Sequence, residues 1–152
     1  MTQRSRLRHP FNGSLQLLIS SLWLALTGAA QAEQKLDFDG YELHYVVVPT
    51  TFLGAEVAKK YDVVRSDDRA LVTLSLLRDG TGLVMEELTG EVKNLLSQQQ
   101  TLRFTEVVEG DSVYYLAELK HSDRDILTFT VDVTPPDGRE RQLSFQQKMY
   151  IE

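Results

Sequence analysis

The stretch L-T-F-T-V-D-V at residues 127–133 has the clearest pattern in this sequence. Apolar Leu, Phe and Val residues alternate throughout it with polar Thr and Asp residues. Because successive side chains of a β-strand point to opposite faces, the alternation predicts a half-buried strand. The turn signal P-P-D-G follows at 135–138. A last strand is predicted from apolar residues of one parity, namely Leu143, Phe145, Met149 and Ile151.

Shorter runs of the same kind fill the chain before this stretch. The predicted strands are 41–47, 72–76, 83–85, 102–108 and 113–116. The dipeptide D-G at 79–80 stands between two of these runs and predicts a β-hairpin. The sequence E-G-D-S at 109–112 predicts another turn. Most of the chain after residue 40 is therefore expected to be strand and turn.

Seven or eight short strands predict an all-β fold, an antiparallel β-sandwich of immunoglobulin type. A closed barrel is the alternative. One helix of about two turns is expected in a connection at 54–61, where Glu56 precedes Lys59 and Lys60 in the order that a helix dipole favours. The polar run at 93–101 is interpreted as a loop anchored by its two leucines, with room for one helical turn at 94–96. A βαβ fold would need more helices.

The first 32 residues have the features of a secretory signal peptide and are expected to form its helix. Three arginines precede an apolar run, and Ala30 and Ala32 form an A-x-A site. Cleavage is predicted after Ala32, which leaves residues 33–152 as a single exported β-sandwich domain. The alternative is an uncleaved anchor, but residues 15–30 would span only about 24 Å as a helix. A hydrocarbon core of about 30 Å requires nearer 20 apolar residues.

Charge and cysteine content exclude several classes of partner and site. The formal net charge is −6, and loss of the N-terminal arginines would make it more negative. Nucleic acids and anionic membranes need a basic patch, and the nearest approach to one is Lys59-Lys60. We therefore expect no nucleic-acid partner and no stable membrane anchor after cleavage. The chain has no cysteine, which excludes disulfides, thiolate metal sites and a lipid-modified cysteine.

The histidines and carboxylates do not predict a catalytic or metal site. His121-Ser122-Asp123 contains the residue types of a nucleophilic triad, but neighbours in sequence rarely converge as a triad requires. His44 and His121 are too few and too scattered for a zinc site. Asp37–Gly40 resembles part of a calcium loop but lacks the remaining ligands, and it is interpreted as a turn into the first strand. No catalytic residue, metal or cofactor is predicted.

The segment R-S-D-D-R at 65–69 is the main candidate for binding. Arg65 and Arg69 flank two aspartates, and the simplest interpretation is a local set of ion pairs. In the functional interpretation, one arginine grips a carboxylate or phosphate of a ligand, and Tyr61 forms a wall beside it. One side chain of Tyr114-Tyr115 must face outward from its strand, so Tyr114 is a further candidate for a partner contact.

The chain resembles domain-of-unknown-function family 4426, a family of exported proteobacterial proteins. The stretches that carry the resemblance are Y-E-L-H-Y (41–45), T-F-L-G-A-E-V-A-K-K-Y (51–61), R-S (65–66), K-N-L-L-S-Q (93–98), E-G-D-S-V-Y-Y-L (109–116) and F-Q-Q-K-M-Y-I-E (145–152). The resemblance implies a periplasmic address, a compact β-rich domain and no assigned activity. It also implies that relatives carry glycine at the position of Ser97.

Three functions remain open from the sequence. The first is a non-catalytic periplasmic module that binds a protein partner or a small ligand. The second is an enzyme with a dispersed site built by loops, in which His44, His121 or Arg65 takes part. The third is an assembly factor that pairs through an exposed strand edge.

Overall fold

The computed structural model describes residues 34–151, and these residues belong to one compact unit. The strands are β1 (Gln34–Phe38), β2 (Tyr41–Pro49), β3 (Arg69–Arg78), β4 (Thr81–Leu83), β5 (Glu87–Lys93), β6 (Gln99–Leu102), β7 (Thr105–Glu109), β8 (Ser112–Lys120), β9 (Ile126–Thr134) and β10 (Arg141–Lys148). A 3-10 turn covers Thr50–Phe52, and helix α1 covers Ala55–Lys60. Within the described range, no helix has both the length and the apolar character needed to cross a membrane.

The strands form two antiparallel sheets. The first sheet has the order β1-β2-β3-β8-β7, with β4 beside the end of β3, and the second has the order β10-β9-β5-β6. The predicted all-β sandwich with one short helix is confirmed. The described part of the chain has ten strands where seven or eight were expected, because β1, β5 and β6 are mostly polar and do not show a clear run of alternating apolar residues.

The core lies between the inner faces of the two sheets, and the alternation of β9 supplies its centre. Phe129, Val131 and Val133 have no exposed surface. The ring of Phe129 stacks on Phe145 with 4.6 Å between centroids, and Phe145 lies 4.5 Å from the ring of Tyr45 in the other sheet. A continuous row of aromatic rings therefore joins the sheets.

Strand β3 is buried on both faces. Its inner face contributes Val72, Leu74 and Leu76 to the core, and its outer face is nearly as inaccessible at Leu71 and Thr73. The segment 50–68, which holds the 3-10 turn and α1, contacts this side of the sheet through Tyr61 Oη, which donates to Glu109, and the N–H of Val64, which donates to Glu118. Its Leu53 and Ala58 are buried. All residues from Ala70 to Leu76 are therefore buried, Thr73 and Ser75 of the outer face included.

Several connections differ from the prediction. The run 83–85 is not a strand, since β4 ends at Leu83 and Met85 turns into the core, where its N–H donates to Tyr115 Oη at 2.8 Å. The polar run at 93–101 is a hairpin turn between β5 and β6. Its Leu95 and Leu96 are 72% and 80% exposed, so the prediction that they anchor a loop is wrong.

The β5–β6 turn has no helix at 94–96, because the Asn94 side chain organises it instead. Asn94 Oδ1 accepts the N–H groups of Leu96 and Gln98, each at 3.0 Å. Ser97 adopts φ of 61°, a left-handed conformation that glycine reaches with less strain. This geometry agrees with the glycine that the family resemblance implies at position 97.

The D-G turns take the form that tight hairpins favour. Asp39-Gly40 and Asp79-Gly80 have positive φ at both residues, as a type I′ turn requires. The predicted hairpin at 79–80 is confirmed by the pairing of β3 with β4. The last strand ends at Lys148 rather than Ile151. Beyond it, the N–H groups of Met149 and Ile151 donate to Asp125 and Asp123, in the connection before β9, at 2.7 and 3.1 Å.

Helix α1 begins one residue later and ends one residue earlier than predicted, at Ala55 and Lys60. Glu56 lies in its first turn and Lys59 and Lys60 in its last, in the order expected from the helix dipole. The predicted signal peptide and its cleavage after Ala32 lie outside the described residues and remain predictions.

Candidate functional site

The candidate site is a groove on the outer face of the first sheet, which we call the outer groove. It has a volume of about 560 Å³ and lies between the end of α1 and strands β7 and β8. The residues that line it are Lys60, Tyr61, Asp62, Val63, Leu71, Thr101, Arg103, Thr105, Val107, Leu116 and Glu118. Its volume falls within the range of about 300–1,000 Å³ that is usual for ligand sites.

Strand register explains the floor of the outer groove. Leu116 pairs with Thr105 on one side and Thr73 on the other, so these three side chains share the outer face. Leu71 and Glu118 form the next row across β3 and β8. The floor is therefore apolar at its centre, with hydroxyl and carboxylate groups beside it.

Three side chains close one end of the outer groove, and we call them the Glu109 latch. Lys60 Nζ and Tyr61 Oη both donate to Glu109 Oε1, the second at 2.5 Å. Burial alone would raise the pKa of the Glu109 carboxyl, but these two hydrogen bonds outweigh it and hold the pKa below 4.5. Burial and the hydrogen bond to Glu109 raise the pKa of the Tyr61 phenol. The latch ties α1 to the turn between β7 and β8.

Replacing Glu109 with Gln is expected to destabilise the protein in a pH-dependent way. The lowered pKa means that the carboxylate stabilises the folded state above about pH 4.5 and loses this effect as the pH falls through its folded value. We expect a loss of about 1 kcal/mol at neutral pH, because the site is partly exposed to solvent. The free energies of unfolding of E109Q and wild type should converge in acid, as measured by urea denaturation across pH.

The matched control for the latch is Glu140→Gln, which replaces an exposed carboxylate on the β9–β10 turn. Its stability should follow the wild-type curve at every pH. A constant difference between E109Q and wild type from neutral pH to below pH 4 would contradict the proposed electrostatic role of the latch.

The far side of the outer groove contains a second ion pair. Arg69 Nη1 donates to Glu118 Oε2 at 3.2 Å, and the N–H of Val64 donates to the same oxygen at 3.4 Å. Glu118 is thereby held against the groove floor. Arg103, on the link between β6 and β7, is exposed and lacks a carboxylate partner within the described residues.

The structure brings together some of the predicted binding residues. Tyr61 lines the outer groove, and Arg69 reaches it through Glu118. Arg65 does not line the groove, since its Nη2 donates to the carbonyl of Thr51 at 3.1 Å. Tyr114 is half-buried on β8 and pairs across the strands with the groove residue Val107.

The R-S-D-D-R segment does not form the local set of arginine–aspartate ion pairs given above as its simplest interpretation. Ser66 Oγ donates to Asp68 Oδ1, and this hydrogen bond lowers the pKa of Asp68. Arg69 pairs with Glu118 on β8, so the segment is tied to the sheet as well as bonded within itself.

His44 and His121 lie in separate neighbourhoods. His44 Nε2 lies 3.0 Å from Glu42 Oε2 on β2. His121 follows β8, and its Nδ1 lies 3.2 Å from the carbonyl oxygen of Ser122 rather than from the hydroxyl. The Asp123 carboxylate accepts the N–H of Ile151 at 3.1 Å. The residue types of His121-Ser122-Asp123 are thus not arranged as a triad.

The remaining candidate for a metal is the D-F-D-G segment, which forms the end of β1 and the turn into β2. The Asp39 carboxylate in that turn pairs with Arg141. Between residues 34 and 151, the structure places no three His, Cys, Asp or Glu side chains together in a group able to hold a metal ion.

Sequence reasoning missed Arg103, Glu109 and Glu118. Glu109 appeared only as part of a turn signal, although its position at the end of β7 brings it to α1. Arg103 stands between Leu102 and Phe104, which both pack in the core, and the alternation directs it to the opposite side. That alternation is the signal that would have identified it.

Comparison with known proteins places these features in context. The family model described as a domain of unknown function, DUF4426, matches residues 35–152. Among solved structures, the chain is similar to a DUF4426 family protein from Pseudomonas aeruginosa PAO1, with 27% sequence identity and a TM-score of 0.72 over 82% of this chain and 99% of that chain. A search of curated proteins finds no match.

A second group of similar structures comes from uropathogenic Escherichia coli strain F11. FetP, expressed recombinantly in the periplasm, has 16% identity and a TM-score of 0.53 over 78% of this chain and 94% of that chain. A copper-bound variant of FetP has 15% identity and a TM-score of 0.49 over 78% and 95%. The similarity to the first of these shows a shared fold.

Proposed function

The chain belongs to the DUF4426 family, a domain family of unknown function, and we propose its function from the outer groove. It is a periplasmic protein that binds a small carboxylate with an apolar body and does not transform this ligand. The observation that carries the proposal is Arg103, a cation without a carboxylate partner in the described chain, beside an apolar floor. A guanidinium binds a carboxylate through two parallel hydrogen bonds.

The other charges of the outer groove support this assignment to Arg103. Lys60 is engaged by Glu109, and Arg69 is engaged by Glu118. Both cations are thus neutralised by the protein itself. Val63, Leu71 and Leu116 offer apolar contact to the body of the ligand.

The test of the ligand class compares hexanoate with hexanol, which share an apolar chain and differ in the carboxylate. We expect hexanoate to bind at least about ten-fold more tightly than hexanol, because a charge-assisted hydrogen bond contributes at least this much affinity. Replacing Arg103 with Gln should remove this difference and leave hexanol binding unchanged. Isothermal titration calorimetry measures the affinities, and mass spectrometry of the released ligand should show it unaltered.

The matched control is Arg139→Gln, which removes an exposed arginine from the β9–β10 turn. This variant should bind hexanoate like the wild type. Equal affinity for hexanoate and hexanol, or an R103Q variant that binds hexanoate normally, would overturn the proposed ligand class.

The periplasmic address is tested separately. We expect protein recovered from the periplasmic fraction of cells that express the full chain to begin at Glu33. This N-terminus follows from cleavage after Ala32 at the A-x-A site. A chain that retains Met1 in the membrane fraction would show an anchor instead of a cleaved signal peptide.

The two alternative functions have less support. An assembly factor would pair through an open strand edge, and two of the edge strands are defended by charge: β7 beside the groove has five residues and carries Glu106 and Glu109, and the eight-residue β10 carries Arg141 and Lys148. A dispersed enzyme site would use His44, His121 or Arg65 together. Each of these has a different local partner, namely Glu42, Ser122 and Thr51.

A further inference from the structure

A second, smaller recess lies where β8 ends beside the β5–β6 turn, and we call it the His121 recess. Its volume is about 300 Å³. The residues that line it are Asp68, Val92, Asn94, Gln98, Gln100, Lys120, His121, Ser122, Asp125 and Leu127. It shares no lining residue with the outer groove, so an inference about it does not depend on the function proposed above.

The imidazole of His121 has an unused hydrogen-bond acceptor. The side chain is 6% exposed, and its Nδ1 lies 3.2 Å from the carbonyl oxygen of Ser122. A carbonyl oxygen only accepts, so Nδ1 carries the hydrogen and Nε2 of the neutral ring is left with a free lone pair. Nε2 is buried and has no hydrogen-bond partner. A buried polar atom without a partner is unfavourable, and a donor from a ligand would relieve it.

The wall of the recess on the β5–β6 side consists of amide side chains that are already fixed in place. Asn94 Nδ2 donates to Gln98 Oε1 at 2.7 Å. The Gln100 side chain pairs with the backbone of Lys120 through two hydrogen bonds, at 2.7 and 3.0 Å. Each amide nitrogen has two hydrogens, so these bonds leave further N–H donors for a ligand at no cost in side-chain ordering.

Two carboxylates of the lining, those of Asp68 and Asp125, supply acceptors. Asp68 Oδ1 accepts from Ser66, and Asp125 Oδ2 accepts the N–H of Ser122 at 2.8 Å. The second oxygen of each carboxylate has remaining lone pairs. With two carboxylates against the single cation of Lys120, the recess disfavours an anionic ligand.

The base of the recess is apolar, because Val92 and Leu127 lie there with 1% and 2% of their surface exposed. The recess therefore combines bare acceptors, fixed donors and a small apolar surface. A hydroxyl group donates and accepts at once, and a sugar ring adds C–H faces that pack on apolar side chains.

We propose that the His121 recess binds a neutral polyhydroxyl compound, either a free sugar or the terminal sugar of a glycan, with one ligand hydroxyl donating to His121 Nε2. The fixed amides of Asn94, Gln98 and Gln100 donate to the other hydroxyl oxygens. The carboxylates of Asp68 and Asp125 accept from the remaining hydroxyl groups.

The full chain is expressed, and the protein recovered after export is titrated with glucose, N-acetylglucosamine and ethanolamine and followed by NMR. We expect saturable shift changes with at least one sugar in the millimolar range, centred on His121 and the β5–β6 turn. A glycan oligomer that ends in the active sugar distinguishes a terminal residue from a free sugar. Saturable binding of ethanolamine without sugar binding, or no saturable binding of either sugar, would overturn the proposal.

Two variants test the residues. Replacing His121 with Phe keeps an aromatic ring but removes the acceptor, and should weaken sugar binding at least about ten-fold without loss of thermal stability. Replacing the exposed Gln98 with Ala should also weaken binding and is expected to fold even if H121F does not. Gln142→Ala, which removes an exposed amide on β10 that bonds to Asp132, is the control and should bind normally.

The tautomer of His121 gives an independent readout without ligand. Long-range nitrogen–hydrogen NMR spectra should show the hydrogen on Nδ1 and a bare Nε2. A hydrogen on Nε2 in the neutral ring, or an H121F variant with wild-type affinity for the sugar, would remove the basis for the proposed hydrogen bond.

Discussion

Replacing Phe129 with Ala is expected to lower the free energy of unfolding by about 3–5 kcal/mol. Phe129 has no exposed surface, and its ring stacks on Phe145 in the neighbouring strand β10. Phe145 in turn contacts Tyr45 of the first sheet. The substitution removes buried apolar surface and leaves a cavity at the point where the row of aromatic rings joins the sheets.

The expected size of this loss follows from two contributions. Transfer of a large apolar side chain out of water stabilises the folded state, and the cavity left by its removal adds to the loss because the surroundings relax only in part. Urea denaturation measures the difference in the free energy of unfolding between the variant and the wild type. The slope of this free energy against urea concentration should be unchanged, which shows that the substitution alters stability alone.

Phe52→Ala is the matched control, since Phe52 is 58% exposed in the 3-10 turn. This variant should lose no more than about 1 kcal/mol. A similar loss in both variants would contradict the central place of Phe129 in the core.

Replacing Gly82 with Ala is expected to destabilise the protein by about 1–3 kcal/mol, as overpacking does. A Cβ at this position would meet Val113 N at 2.8 Å and Asp111 O at 2.9 Å. Both are backbone atoms, so no side chain can move aside. The N–H of Gly82 also donates to the carbonyl of Asp111 at 3.2 Å, and this bond requires the close approach.

Gly54→Ala is the control for this prediction. Nothing lies within 4 Å of a Cβ at Gly54, and its φ is negative. The control should lose less than about 1 kcal/mol, mostly through its position before α1. Thermal unfolding of both variants compares their stabilities. A G82A variant as stable as G54A would contradict the prediction, because it would show that β4 can move away from the β7–β8 turn without loss of stability.

The sequence predicted the strands in which apolar residues alternate with polar ones. The alternation at 127–133 lies within β9, and the hairpin at D-G 79–80 joins β3 to β4. The strands that it missed are short or polar. β6 has the sequence Q-Q-T-L and only Leu102 is buried, so its hydrophobic pattern contains a single apolar position.

The candidate sites were predicted only where their residues are close in the chain. Tyr61 and Arg69 lie on the segment that was singled out, and both belong to the outer groove or its ion pair. Glu109, by contrast, is brought to Lys60 across 49 residues by the pairing of β7 with β8. Contacts of this kind depend on strand order, which the periodicity of single strands does not contain.

The covering of β3 on both faces has a consequence for how relatives of this protein can diverge. All seven residues from Ala70 to Leu76 are buried. A charged side chain at any of them would be buried without a partner, a strongly unfavourable change. Drift during evolution should therefore be slowest along this central strand and fastest along β1 and β6, whose residues mostly face solvent.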